Sequence, residues 1–284
     1  MSKSVSDNLT ITSVQARKAI LKAFQAKRPV FLWGPPGIGK SEVVQEIADE
    51  LKGFVIDLRM AQMEPTDIRG IPFFNKDLGK MDWAAPVDLP DEDFASQYPI
   101  VVLFLDEMNS APPAVQAAGY QLILNRRVGK YVLPDNVVIV AAGNRDSDKG
   151  VTYRMPMPLA NRFLHLEMRP DFTAWQNWAV SKGIHKDVVG YLSFAKQDLY
   201  EFDSKSSSRA FATPRSWYSL VTCSRTRMLT MTPCSTWLQA QLAKVSQSSS
   251  WHTVRLQARC LNPAIFSLVR SRILQSRKSR RCTP

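Results

Sequence analysis

Short apolar runs alternate with stretches of helical spacing along the first 170 residues. Apolar residues recur every three or four positions over residues 12–28 and 43–51, which predicts two amphipathic helices, the second closed by Gly53. Nearly continuous apolar runs predict buried strands at residues 30–33, 54–58, 100–105, 137–142 and 163–168. Such strands between helices are typical of a parallel sheet that is covered on both faces, so the pattern predicts an α/β fold.

Residues 63–98 interrupt this alternation, because they carry Pro, Asp and aromatic residues without a regular period. Within them, Phe73, Phe74 and Trp83 either form an exposed loop that grips a polypeptide or belong to a hairpin packed on its own domain. Helical spacing returns after Pro170 and predicts a second, helical region.

The loop between the first predicted strand and the helix that follows it carries a strong chemical signal. It fits the pattern of a phosphate-binding loop, and its residues are Gly34, Pro35, Pro36, Gly37, Ile38, Gly39, Lys40 and Ser41. Glycines let backbone N–H groups close around phosphate oxygens, and the helix N-terminus adds a partial positive charge. Lys40 supplies a point charge to the β- and γ-phosphates, and the Ser41 hydroxyl is a ligand for Mg²⁺.

Two acidic residues end the third predicted strand. Asp106 and Glu107 follow the apolar run 101–105, so both carboxylates belong at the C-terminal edge of the sheet, where ligands of open α/β sheets bind. Asp106 is the expected second Mg²⁺ ligand, and Glu107 is the expected general base for an attacking water. The alternative is an ordinary helix cap followed by a first-turn acid.

Asn144 and Arg162 complete the candidate catalytic set. Asn144 follows the fourth predicted strand, where an amide would orient the water or contact the γ-phosphate; the alternative is an Asn in a tight turn. Arg162 precedes the fifth predicted strand. An Arg supplied to the γ-phosphate across a subunit boundary stabilises the transition state, whereas the alternative for Arg162 is a solvated or ion-paired side chain.

Histidine and cysteine patterns indicate no further metal site. The three histidines, His165, His185 and His252, are too scattered for a metal or relay site, and His165 is expected to be structural. No two of the four cysteines stand in a C-x2-C pair, so the spacing does not favour zinc.

These motifs, taken in order, resemble those of the AAA+ ATPases and, within them, the MoxR-like members. The phosphate loop is similar to their Walker A motif, residues 103–107 to Walker B, Asn144 to sensor 1, and Arg162 to the arginine finger. Residues 106–116 look like the segment that follows Walker B in these members. Residues 213–215 resemble the start of the sensor 2 helix, whose Arg is Arg215 here.

The resemblance implies a P-loop αβα sandwich with a five-stranded parallel sheet over residues 1–170, and a small helical lid that begins within 171–220. It implies a homo-oligomeric ring, usually a hexamer, that binds ATP and Mg²⁺ at subunit interfaces. Such rings drive chaperone-like remodelling of a protein partner, often one with a von Willebrand factor A domain. In that scheme Asn144 senses the γ-phosphate, Arg162 completes the neighbour's site, and Arg215 couples the lid to the nucleotide.

Composition argues against a membrane span, and charge divides the chain. Apolar residues make up 45% of the chain, and no apolar run approaches the roughly 18 residues that a membrane helix needs. Residues 1–10 are polar and do not resemble a signal peptide, so we expect a cytoplasmic protein. The net charge of +12 is uneven, because residues 204–284 hold 14 Lys and Arg and no acid.

Residues 221–284 leave two interpretations open. A genuine basic tail would bind nucleic acid or an acidic partner in a salt-sensitive way, and would favour a DNA-associated AAA+ ATPase such as a helicase loader. The other interpretation is a frameshifted or disordered tail. We favour the frameshift, because back-translation of this segment and translation in a shifted reading frame give an acidic, helix-prone amino-acid sequence. An altered lid would also fit a nucleotide-binding scaffold with impaired turnover.

Overall fold

The computed structural model describes residues 10–148, 152–153, 155–202 and 211–225. Apart from the helical backbone of residues 221–225, residues 221–284 lie outside the described part of the chain, and both interpretations of them stay predictions. The contacts of the described chain group into two units, one up to Ala174 and one from Trp175 onward.

The described residues form strands and helices with the following bounds. The strands are β1 (Thr10–Ile11), β2 (Val30–Trp33), β3 (Phe54–Arg59), β4 (Ile71–Asn75), β5 (Lys80–Ala84), β6 (Val101–Asp106), β7 (Arg127–Val128), β8 (Tyr131–Val132), β9 (Val137–Gly143) and β10 (Leu164–Met168). The α-helices are α1 (Ser13–Gln25), α2 (Lys40–Glu50), α3 (Pro65–Arg69), α4 (Glu92–Ala95), α5 (Pro113–Asn125), α6 (Met157–Ala160), α7 (Phe172–Ser181), α8 (Lys186–Phe194) and α9 (Pro214–Arg225).

A parallel sheet of six strands forms the centre of the first unit, in the order β1-β10-β2-β9-β6-β3. The predicted α/β fold is confirmed, and all five predicted strands are present. The expected count of five was wrong by one, because β1 joins the edge of the sheet beside β10. Two residues are too few to form an apolar strand pattern, so β1 was not predictable from the sequence.

The central strands bury both of their faces. Residues Val101–Leu105 of β6 are at most 1% exposed. Leu103 and Leu105 pack in one core cluster with residues of α5, whereas Val102 and Phe104 pack in the other with residues of α1 and α2. Because alternate side chains of a strand point to opposite faces, a strand covered on both sides has to be a continuous apolar run.

The end of α2 differs from its prediction. The residue in the left-handed conformation is Lys52 (φ 52°), not Gly53. The N–H groups of Lys52 and Gly53 donate to Asp49 O and Ala48 O, at 3.1 and 2.8 Å, which is the pattern of a Schellman motif. Gly53 is needed for a close approach instead, because a Cβ there would lie 2.5 Å from the carbonyl oxygen of Ile100.

The segment that broke the sequence pattern contains an antiparallel hairpin of β4 and β5. Its apolar side chains are largely exposed, among them Phe74 at 60% and Phe73 at 43%. Trp83 is 38% exposed, and the Arg69 guanidinium lies 5.1 Å from its ring centroid. The hairpin prediction therefore holds for the backbone, but its three aromatic residues are all exposed.

The second unit, from Trp175 onward, is helical in its described residues. Trp217 of α9 donates from Nε1 to Asp198 O at 3.0 Å, and its ring lies 5.9 Å from that of Tyr191 in α8. Thr213 and Ser216 exchange hydrogen bonds at the start of α9, so this helix begins at Pro214. None of the described helices is long and apolar enough to span a membrane.

Candidate functional site

Three neighbouring strands bring the predicted phosphate loop and the polar residues to one edge of the sheet. The loop follows β2, Asn144 follows β9, and Asp106 is the last residue of β6. Since β2 pairs with β9 and β9 with β6, all in parallel, these three strand ends lie side by side. The carboxyl edge of a parallel sheet is the usual ligand site in such folds.

Lys40 hydrogen-bonds both to the phosphate loop and to the residue that follows β9. Its Nζ donates to Gly34 O at 2.6 Å and Pro35 O at 3.2 Å within the loop, and to Asn144 Oδ1 at 3.1 Å. The Gly34 N–H donates to Gly143 O at 3.3 Å, so the start of the loop is also tied to the end of β9. The structure therefore joins the predicted phosphate-binding lysine to the predicted sensor residue.

The loop backbone suits an anion at the start of α2. Gly39 is the N-cap of this helix, in a left-handed conformation (φ 95°) that glycine adopts readily, and it has no side chain to cap the first N–H groups. A helix of 11 residues with an uncapped N-terminus and a lysine at its first position presents N–H donors and positive charge together. Lys40 and the loop N–H groups would hold the phosphates of a nucleotide.

The oxygen ligands present also suit Mg²⁺. Ser41 lies in the first turn of α2, and Asp106 ends β6 at the same edge of the sheet. A hydroxyl and a carboxylate are hard oxygen donors, and Mg²⁺ usually takes one or two protein ligands together with phosphate oxygens and water. Within the described residues, no group of three or more His, Cys, Asp or Glu side chains forms a separate metal site.

Glu107 has an unusual backbone conformation at this edge. Its φ of 55° and ψ of 33° lie in the left-handed region, which costs energy for a residue with a Cβ. Its N–H donates to Asp106 Oδ1 at 2.9 Å, which ties the two acidic residues together. The chain thus turns sharply at Glu107, which is the N-cap residue of a short 3-10 helix at Met108–Ser110, and the Glu107 side chain makes no capping hydrogen bond.

Asp57 is a third carboxylate close to Asp106. It lies on β3, which pairs with β6. Partial burial raises the pKa of the Asp57 carboxyl, the negative charge of Asp106 raises it further, and Arg59 opposes both effects. At neutral pH the ionised Asp57 is therefore held in the folded state at a cost in stability.

We expect Asp57→Asn to raise the free energy of unfolding at pH 7. A carboxyl whose pKa is raised by folding binds its proton more tightly in the folded state than in the unfolded state. The free energy of unfolding of the parent protein therefore falls as the pH rises above the ordinary carboxyl pKa. The advantage of the variant should shrink as the pH falls below about 4. Urea unfolding between pH 3.5 and 8 measures this, with exposed Asp88→Asn as the matched control. A variant that is less stable than the parent at pH 7 would contradict the expectation.

Asn109 is a site residue whose role the sequence did not reveal. It is 2% exposed, its Nδ2 donates to Asn144 O at 2.7 Å, and its Oδ1 accepts from the Asn144 N–H at 3.2 Å. A Cβ on Gly143 would overlap Asn109 Oδ1, so the glycine is needed for this contact. Asn109 thus fixes the backbone of Asn144, and a pairing between residues 35 positions apart has no signal in a single sequence.

Arg162 is not at the strand ends that carry the phosphate loop. Arg162 follows α6 and precedes β10, and it lines a cavity of about 230 Å³ together with Lys27, Arg28 and Arg126. These residues lie at the opposite, N-terminal edge of the sheet, since Leu164 pairs with Val30. Arg215 is exposed in the first turn of α9 in the second unit, and its contact with a nucleotide stays a prediction.

The fold and this arrangement are those of a P-loop nucleotide-binding domain. Residues 29–163, just under half of the chain, match the family model of the AAA domain (dynein-related subfamily). The match supports AAA+ as the class and ATP as the nucleotide.

Individual similar proteins cover this chain only in part. It is 27% identical over 197 residues to midasin of Giardia intestinalis, an alignment that covers 64% of this chain and 4% of midasin. A mutant form of RuvB from Thermotoga maritima is 19% identical with a TM-score of 0.44, covering 76% of this chain and 63% of that one. NtrX from Brucella abortus is 17% identical with a TM-score of 0.39, covering 64% and 46%. Neither structural likeness bears on function.

Proposed function

We propose that this protein is an Mg²⁺-dependent ATPase of the MoxR-like type that works as a homo-oligomeric ring, a hexamer, and remodels a protein partner. The observation that carries the proposal is the meeting of Lys40, Asn144 and the Asp106–Glu107 pair at one edge of the sheet. A phosphate-binding lysine beside an amide and two carboxylates suits phosphoanhydride hydrolysis.

Each residue has a role that follows from its position. Lys40 and the loop N–H groups bind phosphate oxygens, and Ser41 and Asp106 would hold Mg²⁺, which neutralises charge on the β- and γ-phosphates. Glu107 accepts a proton from the attacking water, because its carboxylate follows the metal ligand by one residue. The Asn144 amide, held through its backbone by Asn109, orients that water or contacts the γ-phosphate.

The position of Arg162 supports action on a neighbouring subunit. The phosphate loop follows Trp33 at the end of β2, whereas Arg162 precedes β10 at the start of the paired strand. The four residues of β2 separate these ends by about 10 Å at the ordinary rise of a strand. Arg162 therefore lies at the edge of the sheet opposite the phosphate loop of its own subunit, which favours a ring with heterologous, head-to-tail contacts.

The exposed hairpin supports a protein as the partner. Phe73, Phe74 and Met81 present apolar surface on β4 and β5 without packing on the domain core. An exposed apolar patch of this kind favours contact with another protein. We therefore place the client on this hairpin and propose a client with a von Willebrand factor A domain, in the cytoplasm, as the MoxR-like resemblance implies.

A second candidate function rests on charge alone. The 14 Lys and Arg of residues 204–284, without a balancing acid, favour a DNA-associated AAA+ ATPase. That function predicts DNA binding that weakens steeply with salt and disappears when residues 221–284 are removed. Resequencing the encoding DNA tests the frameshift directly, since early stop codons in the alternative frame beyond residue 221 would exclude it.

Mixed rings test the main proposal. Glu107→Gln chains lack the base but keep Arg162, and Arg162→Ala chains lack the arginine but keep the base. If Arg162 acts across the interface, a 1:1 mixture regains turnover of about one quarter of the unsubstituted level, because one interface in four is complete. ATP hydrolysis and light scattering with and without ATP measure activity and assembly. Assembly without any gain of turnover on mixing would contradict action across the interface.

A further inference from the structure

Two hydrogen bonds connect the start of the phosphate loop to the turn that carries Arg162. Trp33 Nε1 donates to His165 Nδ1 at 2.8 Å, and His165 Nε2 lies 2.8 Å from Ala160 O. Trp33 directly precedes Gly34, and Ala160 is two residues before Arg162. A single imidazole therefore bridges the end of β2 and the end of α6.

The chemistry of the partners sets the tautomer of His165. An indole N–H can only donate, so Nδ1 of His165 has to accept. The neutral ring then carries its proton on Nε2, and this N–H donates to the Ala160 carbonyl, which can only accept. Replacing the Trp33 N–H removes the group that selects this tautomer.

Aromatic packing holds the imidazole in place. The rings of Trp33 and His165 are stacked with centroids 6.0 Å apart, and Phe31 stacks on Trp33 at 4.2 Å. Phe163, directly after Arg162, packs edge-on against Phe31 at 5.4 Å. Arg162 itself is exposed, and its N–H donates to Leu159 O at 3.0 Å. The Ala160 carbonyl that accepts from His165 also accepts from the Phe163 N–H at 3.2 Å, so the imidazole contacts the same turn that holds the backbone on both sides of Arg162.

We infer that His165 is a positioning residue for Arg162, with its tautomer selected by Trp33. The bridge links the phosphate loop of a subunit to Arg162 of the same subunit, which acts on the nucleotide bound by the neighbouring subunit. The inference rests on the proposed function, because it needs Arg162 to act across the interface. A positioning role and a purely structural role of His165 make different predictions. In a positioning role, substitution of His165 lowers hydrolysis at the neighbouring subunit's site and leaves hydrolysis at the site of the same subunit unchanged.

Imidazole NMR tests the bridge without any need for turnover. The chain contains three histidines, so ¹⁵N-histidine labelling of the full-length protein gives few signals, and His165→Phe identifies those of residue 165. We expect a neutral His165 with its proton on Nε2, and a shift of the tautomer signals in Trp33→Phe, which keeps a ring but loses the N–H. A proton on Nδ1, or signals unchanged by Trp33→Phe, would overturn the bridge.

Mixed rings test the positioning role. His165→Phe is placed either in the Glu107→Gln chain, which supplies Arg162, or in the Arg162→Ala chain, which supplies the base. We expect turnover of the mixture to fall about tenfold in the first case, as for a misplaced catalytic group, and to stay unchanged in the second. Trp33→Phe in the supplying chain should lower turnover in the same direction.

The possible outcomes are distinguishable. Equal losses in both chains, or no loss in either, would overturn the positioning role while leaving the ATPase proposal intact. A parent mixture of Glu107→Gln and Arg162→Ala chains that gains no turnover would overturn the proposed function, and this inference with it. Retained ATP affinity in the His165→Phe chain, measured by binding, separates a lost position of Arg162 from a damaged loop.

Discussion

Glu107→Gln should lower the rate of ATP hydrolysis by about 10²- to 10⁴-fold, because this is the usual contribution of a positioned general base. The substitution keeps the size and shape of the side chain but removes its ability to accept a proton from water. Lys40 and the phosphate loop are unchanged, so ATP affinity should stay close to that of the parent chain. The measurement is steady-state phosphate release with Mg²⁺, together with equilibrium binding of a fluorescent ATP analogue.

A matched variant separates this effect from a general change of charge. Glu92→Gln makes the same substitution in the first turn of α4, at an exposed position before the start of β6. It should leave both turnover and binding unchanged. Turnover of Glu107→Gln within a factor of about two of the parent would show that another group takes the proton, since the loss of a base costs far more.

The sequence predicted those parts of the molecule that depend on short-range pattern. Each of these parts is encoded by residues that are neighbours in the chain: the phosphate loop, the five predicted strands and the acidic pair after residue 105. The structure has all five strands in one sheet, and the loop and the acidic pair lie at strand ends on one edge of it. The parallel order of those strands follows from their apolar character and from the helices between them. The edge of the sheet that carries the candidate site was therefore predictable from one sequence.

What the sequence could not predict depends on contacts between distant residues. Lys52 adopts a left-handed conformation that glycine would favour, because Gly53 is required where the chain passes close to Ile100. His165 was expected to be structural, and its link to Trp33 joins positions 132 apart. No periodicity or local motif encodes such pairs, since they exist only once the strands have paired.

Asn109→Asp should lower both the stability of the protein and the rate of hydrolysis. The substitution keeps the shape of the side chain and an oxygen that accepts from the Asn144 N–H, but it replaces the Nδ2 donor with a second acceptor. That oxygen would face Asn144 O, which Nδ2 contacts at 2.7 Å, in a place that is 2% exposed. Loss of the hydrogen bond and burial of an unpartnered charge should cost about 2 to 4 kcal/mol in the free energy of unfolding.

Hydrolysis should fall by about tenfold or more, because Asn144 is held in place through its backbone and small displacements of catalytic groups are costly. Asn136→Asp is the matched control: Asn136 Nδ2 donates to Ala95 O and Tyr98 O, at 2.7 and 3.0 Å, before the start of β9. The same chemical change there should cost stability but leave kcat unchanged in the folded fraction. Urea unfolding and ATP turnover are measured for both variants. An equal loss of kcat in the two would contradict a positioning role for Asn109. A loss confined to Asn109→Asp would show that the buried amide serves the site as well as the fold.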